Sequence, residues 1–107
     1  MRQLAPVELA DWLQDAGRTP PAVLDVREPW EVALCAIAGS RTIPMSQIVQ
    51  RIDELDPQQD LVVVCHHGMR SLQVAMYLQR SGFDRVCNLQ GGIDAWARDV
   101  EPAMARY

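Results

Sequence analysis

The chain is organised around residues Leu61–Ser71, which have the sequence LVVVCHHGMRS. Four apolar residues, three of them β-branched, predict a buried strand over Leu61–Val64. Cys65 follows at once, and after a short loop a largely buried helix is predicted from Leu72 onward. A cysteine between the end of a strand and the start of a helix lies where free N–H groups and the helix dipole stabilise an anionic sulfur. Cys65 is therefore the first candidate for a catalytic nucleophile.

Length and composition predict one globular domain over residues 1–107, with 49% hydrophobic and 22% charged residues. The net charge of −4 argues against a basic surface for nucleic acid. Three cysteines, an odd number without framework spacing, indicate free thiols in a reducing compartment. The chain shows no signal-peptide core and no run approaching the roughly 18 apolar residues of a membrane span. We therefore expect a cytoplasmic protein, a monomer or weak dimer, that binds neither nucleic acid nor membranes.

Short apolar strands alternate with amphipathic helices along the chain. This alternation predicts an α/β fold with a mostly parallel sheet that helices cover on both faces. In such a sheet, functional residues gather at the carboxyl ends of the strands. The predicted strands are Ala22–Val26, Arg41–Ile43, Leu61–Val64 and Val86–Leu89. The predicted helices begin at or near Pro6, Pro29, Met45, Leu72 and Gly92.

The loop after Cys65 has the composition of an anion-binding site. Its Cys-x4-Arg spacing allows successive N–H groups to point inward as a nest, and Gly68 permits a backbone conformation closed to other residues. Arg70 offers a planar fork to an oxyanion, although a surface arginine paired with an acid is the alternative. Ser71 is expected either to cap the following helix or to donate a hydrogen bond to the sulfur.

His66 and His67 suggest two further kinds of site, a metal centre with Cys65 and a Cys–His catalytic dyad. Both are disfavoured, because neighbouring side chains in a tight loop tend to point apart and the chain has no second Cys/His pair at ligand spacing. We expect neither a metal nor another cofactor. The two histidines are instead expected to line the mouth of the pocket and to add partial positive charge.

Asp25 and Arg27 follow another predicted strand and should lie at the same edge of the sheet as Cys65. An ion pair that shapes the pocket wall is favoured over direct contact with a substrate. The two other thiols, Cys35 and Cys87, have no basic neighbours in a loop. They are expected to pack as small hydrophobic residues.

The order of these motifs resembles the single-domain rhodanese family, which is similar to thiosulfate sulfurtransferases. The resemblance implies a five-stranded parallel sheet with helices on both sides. It also implies that Cys65 carries a persulfide sulfur cradled by the amides of residues 66–70, with His66, His67, Gly68, Met69, Arg70 and Ser71 around the substrate. The matching segments are Leu24–Glu28, Ile43–Pro44, Cys65–Ser71 and Leu89–Trp96.

By this resemblance, a sulfane sulfur would move from thiosulfate or another persulfide donor to cyanide, a thiol or a protein partner. One segment departs from the family, which often has Gly-His-Ile-Pro-Gly-Ala where residues 35–40 here are CAIAGS. The usual histidine is Ala36 and the usual proline is Ala38. This departure concerns the packing of that loop and leaves the cysteine loop intact.

Two other functions share parts of this pattern. Cysteine-dependent phosphatases and arsenate reductases are related to this fold, but their loops resemble Cys-x5-Arg, one residue longer than the loop from Cys65 to Arg70. A non-enzymatic docking module is disfavoured because Cys65 is present. A dedicated sulfur carrier to one protein partner stays compatible with the sequence.

Overall fold

The computed structural model describes residues 1–107 and contains one sheet of five strands in the order β1-β5-β4-β2-β3. Every neighbouring pair of strands is parallel. The parallel α/β fold predicted from the sequence is therefore confirmed. The strands are β1 (Arg2–Leu4), β2 (Ala22–Asp25), β3 (Arg41–Thr42), β4 (Leu61–Val64) and β5 (Val86–Leu89).

Five helices and two 3₁₀ turns connect these strands. The longest helix has 12 residues, and no helix combines the length and apolar character that a membrane crossing requires. The helices are α1 (Pro6–Gln14), α2 (Pro29–Leu34), α3 (Ile48–Arg51), α4 (Met69–Arg80) and α5 (Gly92–Asp99). The 3₁₀ turns are Met45–Gln47 and Ile52–Glu54.

The sheet has a separate apolar core on each face. Val63 of β4 packs in a cluster with residues of α3 and α4, whereas Val62 and Val64 pack in a cluster with residues of α1 and α5. All four residues of β4 are buried, because successive side chains point to opposite faces and both faces are covered. This double burial explains the unbroken apolar run that precedes Cys65.

The first strand was missed in the sequence. β1 is only three residues long, and Leu4 is its single buried residue, so neither an alternating pattern nor an apolar run marks it. It pairs with β5, with Arg2 opposite Cys87 and Leu4 opposite Leu89. The strand therefore depends on a partner that lies more than eighty residues away along the chain.

Two helix predictions were wrong in extent or burial. The continuous helix predicted from Met45 is a short α3 between two 3₁₀ turns, and Val49 within it is exposed. The helix after the cysteine loop begins at Met69 rather than Leu72, and Met76 is exposed. α4 is therefore amphipathic and is not enclosed on all sides.

Candidate active site

The carboxyl ends of three adjacent strands bring the candidate residues together. Cys65 directly follows β4, the central strand, while Asp25 ends β2 on one side of it. Asn88 lies one residue before the end of β5 on the other side. The parallel order of the strands places all three at one edge of the sheet.

The sulfur of Cys65 is enclosed by its own loop. Cys65 is 1% exposed, and its Sγ accepts a hydrogen bond of 3.1 Å from the backbone N–H of Gly68. Gly68 has a φ of +99°, a conformation that glycine adopts without a Cβ clash. Helix α4 begins at the next residue, so the sulfur lies beside a helix N-terminus as predicted.

A buried polar chain supports the sulfur from the other side. The hydroxyl of Ser71 can donate its one proton either to Sγ of Cys65, at 3.3 Å, or to Oδ1 of Asn88, at 2.6 Å. Asn88 in turn donates to the carbonyl of Gly68 at 3.2 Å and to the side chain of Gln3 at 3.0 Å. The predicted contact of Ser71 with the sulfur is confirmed, but its capping role is wrong because Gly68 is the N-cap.

Asn88 was not identified from the sequence, although one signal was present. It is the single amide in the apolar strand VCNL, and it is buried in the structure. A buried amide requires hydrogen-bond partners, and two of the partners of Asn88 are Ser71 and the carbonyl of Gly68.

Helix α5 docks directly on the backbone of the cysteine loop. The N–H of Ile93 donates to the carbonyl of Cys65 at 2.8 Å, and the N–H of Asp94 donates to the carbonyl of His66 at 3.1 Å. Gly92 makes this approach possible, because a Cβ there would lie 2.6 Å from the carbonyl oxygen of Cys65. Gly91 and Gly92 therefore form the predicted turn and also position the loop.

The two histidines stack on each other, a contact that the sequence did not predict. Their ring centroids are 3.9 Å apart, and the other face of His66 stacks on Tyr107 at 3.8 Å. Burial, and to a smaller extent the charge of His67, lower the pKa of His66. Nε2 of His66 is buried without a hydrogen-bond partner, which agrees with a neutral ring.

The nearest set of possible metal ligands comprises His66, His67 and Asp94, whose ligand atoms all lie within 4.8 Å of one another. One feature argues against a metal here, because Oδ1 of Asp94 already accepts two hydrogen bonds from Arg106. The absence of a metal requirement stays a prediction.

Asp25 and Arg27 form the ion pair that the sequence predicts. Both side chains are fully buried, and Nη2 of Arg27 lies 2.7 Å from Oδ2 of Asp25. Burial alone would lower the pKa of Arg27, but its hydrogen bonds with Asp25 and Tyr107 outweigh this effect and raise the pKa. Arg27 also donates to the carbonyl of Cys35 at 2.7 Å, which ties the segment after α2 to the pocket wall.

Arg70 is paired with an acid, the alternative that the sequence left open, and the acid is Glu31. The two Nη atoms donate to the two carboxylate oxygens at 2.7 and 2.8 Å. Glu31 is 3% exposed, and the hydrogen bonds from Arg70 hold its pKa at about 2 despite the opposing effect of burial. Glu31 lies in the first turn of α2, and nothing local to that turn indicates its distant partner.

The C-terminal segment contributes a residue that sequence reasoning missed. The hydroxyl of Tyr107 accepts a hydrogen bond from Arg27 at 2.9 Å and donates one to Glu31 at 2.7 Å. Burial is the largest cause that raises the pKa of Tyr107 to about 12. Tyr107 thus joins the histidines to the two ion pairs of the pocket wall.

The other two cysteines differ from each other. Cys87 is buried as predicted, and burial raises the pKa of its thiol. Cys35 is only partly buried, and its Sγ lies 3.9 Å from Nη1 of Arg27. The statement that Cys35 has no basic neighbour was therefore wrong, because the arginine is eight residues away in the chain.

Comparison with known proteins identifies the family. The chain belongs to the family described as the rhodanese-like domain, whose model matches residues 6–99. The resemblance stated from the motifs is thereby confirmed. The chain is a rhodanese-type transferase.

Individual relatives agree with this assignment. The chain is 41% identical over 83 residues to a sulfurtransferase of Allochromatium vinosum, and these residues cover 78% of each protein. It is 40% identical over 102 residues to the thiosulfate sulfurtransferase GlpE of Pseudomonas paraeruginosa, covering 95% of this chain and 88% of that one. The crystal structure of a rhodanese-related protein from Thermoplasma volcanium superposes with a TM-score of 0.85 at 29% identity, covering 95% and 96% of the two chains.

Proposed function

We propose that Cys65 accepts a sulfane sulfur from thiosulfate or another persulfide donor and passes it to a thiol, cyanide or a protein. The observation that carries this proposal is the enclosed Sγ of Cys65, which accepts a hydrogen bond from the N–H of Gly68 beside the start of α4. Family membership supports the transferase chemistry, whereas the assignment of the sulfur-carrying role to Cys65 is part of the proposal. We further propose that residues 1–107 act as one domain without a cofactor.

The reaction divides into two nucleophilic substitutions. The thiolate of Cys65 attacks the outer sulfur of the donor, the S–S bond of the donor breaks, and sulfite leaves when the donor is thiosulfate. The acceptor then attacks the outer sulfur of the persulfide and regenerates the thiolate of Cys65. The transferred sulfur keeps its oxidation state, so no external oxidant or reductant is required.

The loop supplies electrostatic stabilisation rather than proton transfer. The N–H of Gly68 and the hydroxyl of Ser71 stand beside Sγ of Cys65, where negative charge resides before and after transfer. The remaining amides of residues 66–70 are proposed to hold the outer sulfur once the persulfide has formed. No side chain is needed as a general base if Cys65 reacts as a thiolate.

The residues around the cysteine loop are proposed to contact the incoming substrate. His66 and His67 are proposed to line the mouth, and Met69, which is 68% exposed, offers an apolar contact to an incoming molecule. Arg70 is proposed to contact an oxyanion of the donor. Asp25 and Arg27 support the wall without touching substrate.

Turnover with thiosulfate and cyanide tests the proposal, with thiocyanate as the measured product. We expect Cys65→Ser to abolish thiocyanate formation while its circular dichroism spectrum stays that of the wild type. Cys87→Ser provides the matched control, because Cys87 is also buried but lies outside the pocket. Loss of activity in the control alone, or equal activity in all three proteins, would refute the assignment of Cys65.

A further inference from the structure

Both arginines beside the pocket have their charge neutralised within the protein. Arg27 donates to the carboxylate of Asp25 from Nε and Nη2, to the carbonyl of Cys35 from Nη2, and to Tyr107 from Nη1. A guanidinium has five N–H donors, and this one is buried with partners on all three nitrogens. Arg27 therefore has no donor left for a substrate.

The charge of Arg70 is also balanced, and its partner Glu31 is held in place. Oε1 of Glu31 accepts from Arg70 and from the N–H of Glu28 at 3.0 Å, while Oε2 accepts from Arg70 and from Tyr107. A carboxylate held by four hydrogen bonds in a buried position does not turn away at low cost. The side of the pocket formed by α2 thus presents a fixed negative charge that Arg70 balances.

The histidines add little positive charge to compensate. His66 is enclosed between two rings and has an unpartnered buried nitrogen. The side chain of His67 is 63% exposed, and its Nε2 lies 4.0 Å from a carboxylate oxygen of Asp94. The pocket of Cys65 therefore lacks the surplus of positive charge that a dianion requires.

We infer that Glu31 is a specificity-determining residue that disfavours dianionic sulfonate donors, thiosulfate among them, and favours the persulfide of a thiol. The inference rests on the proposed function of Cys65. Thiosulfate brings two negative charges next to a fixed carboxylate that already balances the charge of Arg70. A persulfide R–S–SH carries no charge at its protonated reacting end and meets no such repulsion.

Exposed apolar side chains near the pocket fit the organic part of such a donor. Trp30 is 64% exposed and packs edge-on against Tyr107 at a centroid distance of 6.0 Å, and Met69 is 68% exposed. Both side chains come from the elements that carry Glu31 and Arg70. An inorganic dianion gains nothing from these surfaces, whereas an organic thiol does.

The loading step balances without another reactant. The thiolate of Cys65 attacks the terminal sulfur of R–S–SH, a new S–S bond forms to Sγ, and the S–S bond of the donor breaks. The products are Cys65–S–SH and the thiolate RS⁻. The proton stays on the transferred sulfur, and neither partner is oxidised or reduced overall.

Two small donors that react in the same way but differ by one charge test the inference. Thiosulfate is a dianion and methanethiosulfonate, CH₃SO₂S⁻, is a monoanion, and each yields a Cys65 persulfide with release of sulfite or a sulfinate. We expect Glu31→Gln to raise kcat/KM for thiosulfate relative to methanethiosulfonate by about tenfold or more, through a lower KM. Glu28→Gln removes the same charge from the same turn without touching Arg70, and we expect it to shift the ratio by less than about twofold.

The outcomes separate this inference from the proposed function. An unchanged donor ratio in folded Glu31→Gln, or an equal shift in Glu28→Gln, would overturn the role of Glu31. Absence of a persulfide on the wild type with either donor or with glutathione persulfide would instead refute the proposed function. If Glu31→Gln does not fold, Glu31→Ala removes the same charge and is measured with the same two donors, and an unchanged donor ratio in that variant overturns the inference.

Discussion

Gly92 lies so close to Cys65 that a Cβ atom at Gly92 would be 2.6 Å from the carbonyl oxygen of Cys65. It would also overlap the carbonyl oxygen of His66. The next two residues of α5 donate backbone hydrogen bonds to these same carbonyls, at 2.8 and 3.1 Å. The start of the last helix is thus the support on which the cysteine loop rests.

Gly92→Ala should therefore displace the loop. We expect it to lower the free energy of unfolding by about 2–4 kcal/mol and to reduce sulfur transfer, because backbone strain and a clash act together. Urea unfolding and a turnover assay measure the two effects. Gly82→Ala is the matched control, since Gly82 also has positive φ but no atom would lie within 4 Å of its Cβ. Equal losses in both variants would show that docking of α5 on the loop is unimportant.

Ser71 should contribute to transfer as well as to stability. Its hydroxyl lies between the sulfur of Cys65 and the amide of Asn88, so Ser71→Ala leaves a buried amide oxygen without its donor. We expect a loss of about 1–2 kcal/mol in unfolding free energy and roughly tenfold slower transfer. Ser81→Ala, at the other end of α4, should leave the transfer rate at the wild-type value. A wild-type rate in Ser71→Ala would make Ser71 purely structural.

The ion pair between Glu31 and Arg70 should make the free energy of unfolding depend on pH in the acidic range. The pKa of Glu31 is about 2 in the folded protein against an ordinary value of 4.5, so its contribution is complete above about pH 4.5 and is lost as the pH falls toward 2. We expect Glu31→Gln to be less stable than the wild type by about 2–3 kcal/mol at neutral pH. The difference should shrink as the pH approaches 2, in urea unfolding measured across that range. A difference that is constant with pH would contradict the ion-pair account.

Tyr107 should stabilise the pocket wall through its hydroxyl. Tyr107→Phe keeps the ring that stacks on His66 but removes an acceptor for Arg27 and a donor to Glu31. We expect a loss of about 1–2 kcal/mol in unfolding free energy. Tyr77→Phe, a tyrosine of α4 outside the pocket, should cost less than about 0.5 kcal/mol in the same experiment. The reverse order of the two variants would contradict the role given to the hydroxyl of Tyr107.

The sequence predicted the parts of the site that are local in the chain. The β-branched run before Cys65 marks β4, and Gly68 and Ser71 act on the sulfur from three and six residues away. Glu31 and Tyr107 could not be assigned in this way, because the contact of Arg70 with Glu31 spans 39 residues and that of Tyr107 with Arg27 spans 80. Such contacts leave no periodic pattern, since only the tertiary fold brings their partners together.

The contrast between local and distant contacts also explains the errors in the predicted fold. β1 is stable only because β5 pairs with it, and a strand of three residues with one buried side chain has no signal of its own. The stacking of His66 and His67 was not predicted from the two residues alone, and Tyr107 supplies the third ring of the stack. In both cases a distant segment overrides the local preference.

The central claim is that Cys65 carries the sulfur, and intact mass spectrometry tests it most directly. The reduced protein is treated briefly with a polysulfide or with thiosulfate, beside the Cys65→Ser variant, and each sample is then exposed to cyanide. The account predicts that the wild type gains the mass of one sulfur atom, that cyanide removes it, and that the variant gains none. A wild type that gains no sulfur from either donor, or a variant that gains as much as the wild type, would contradict it.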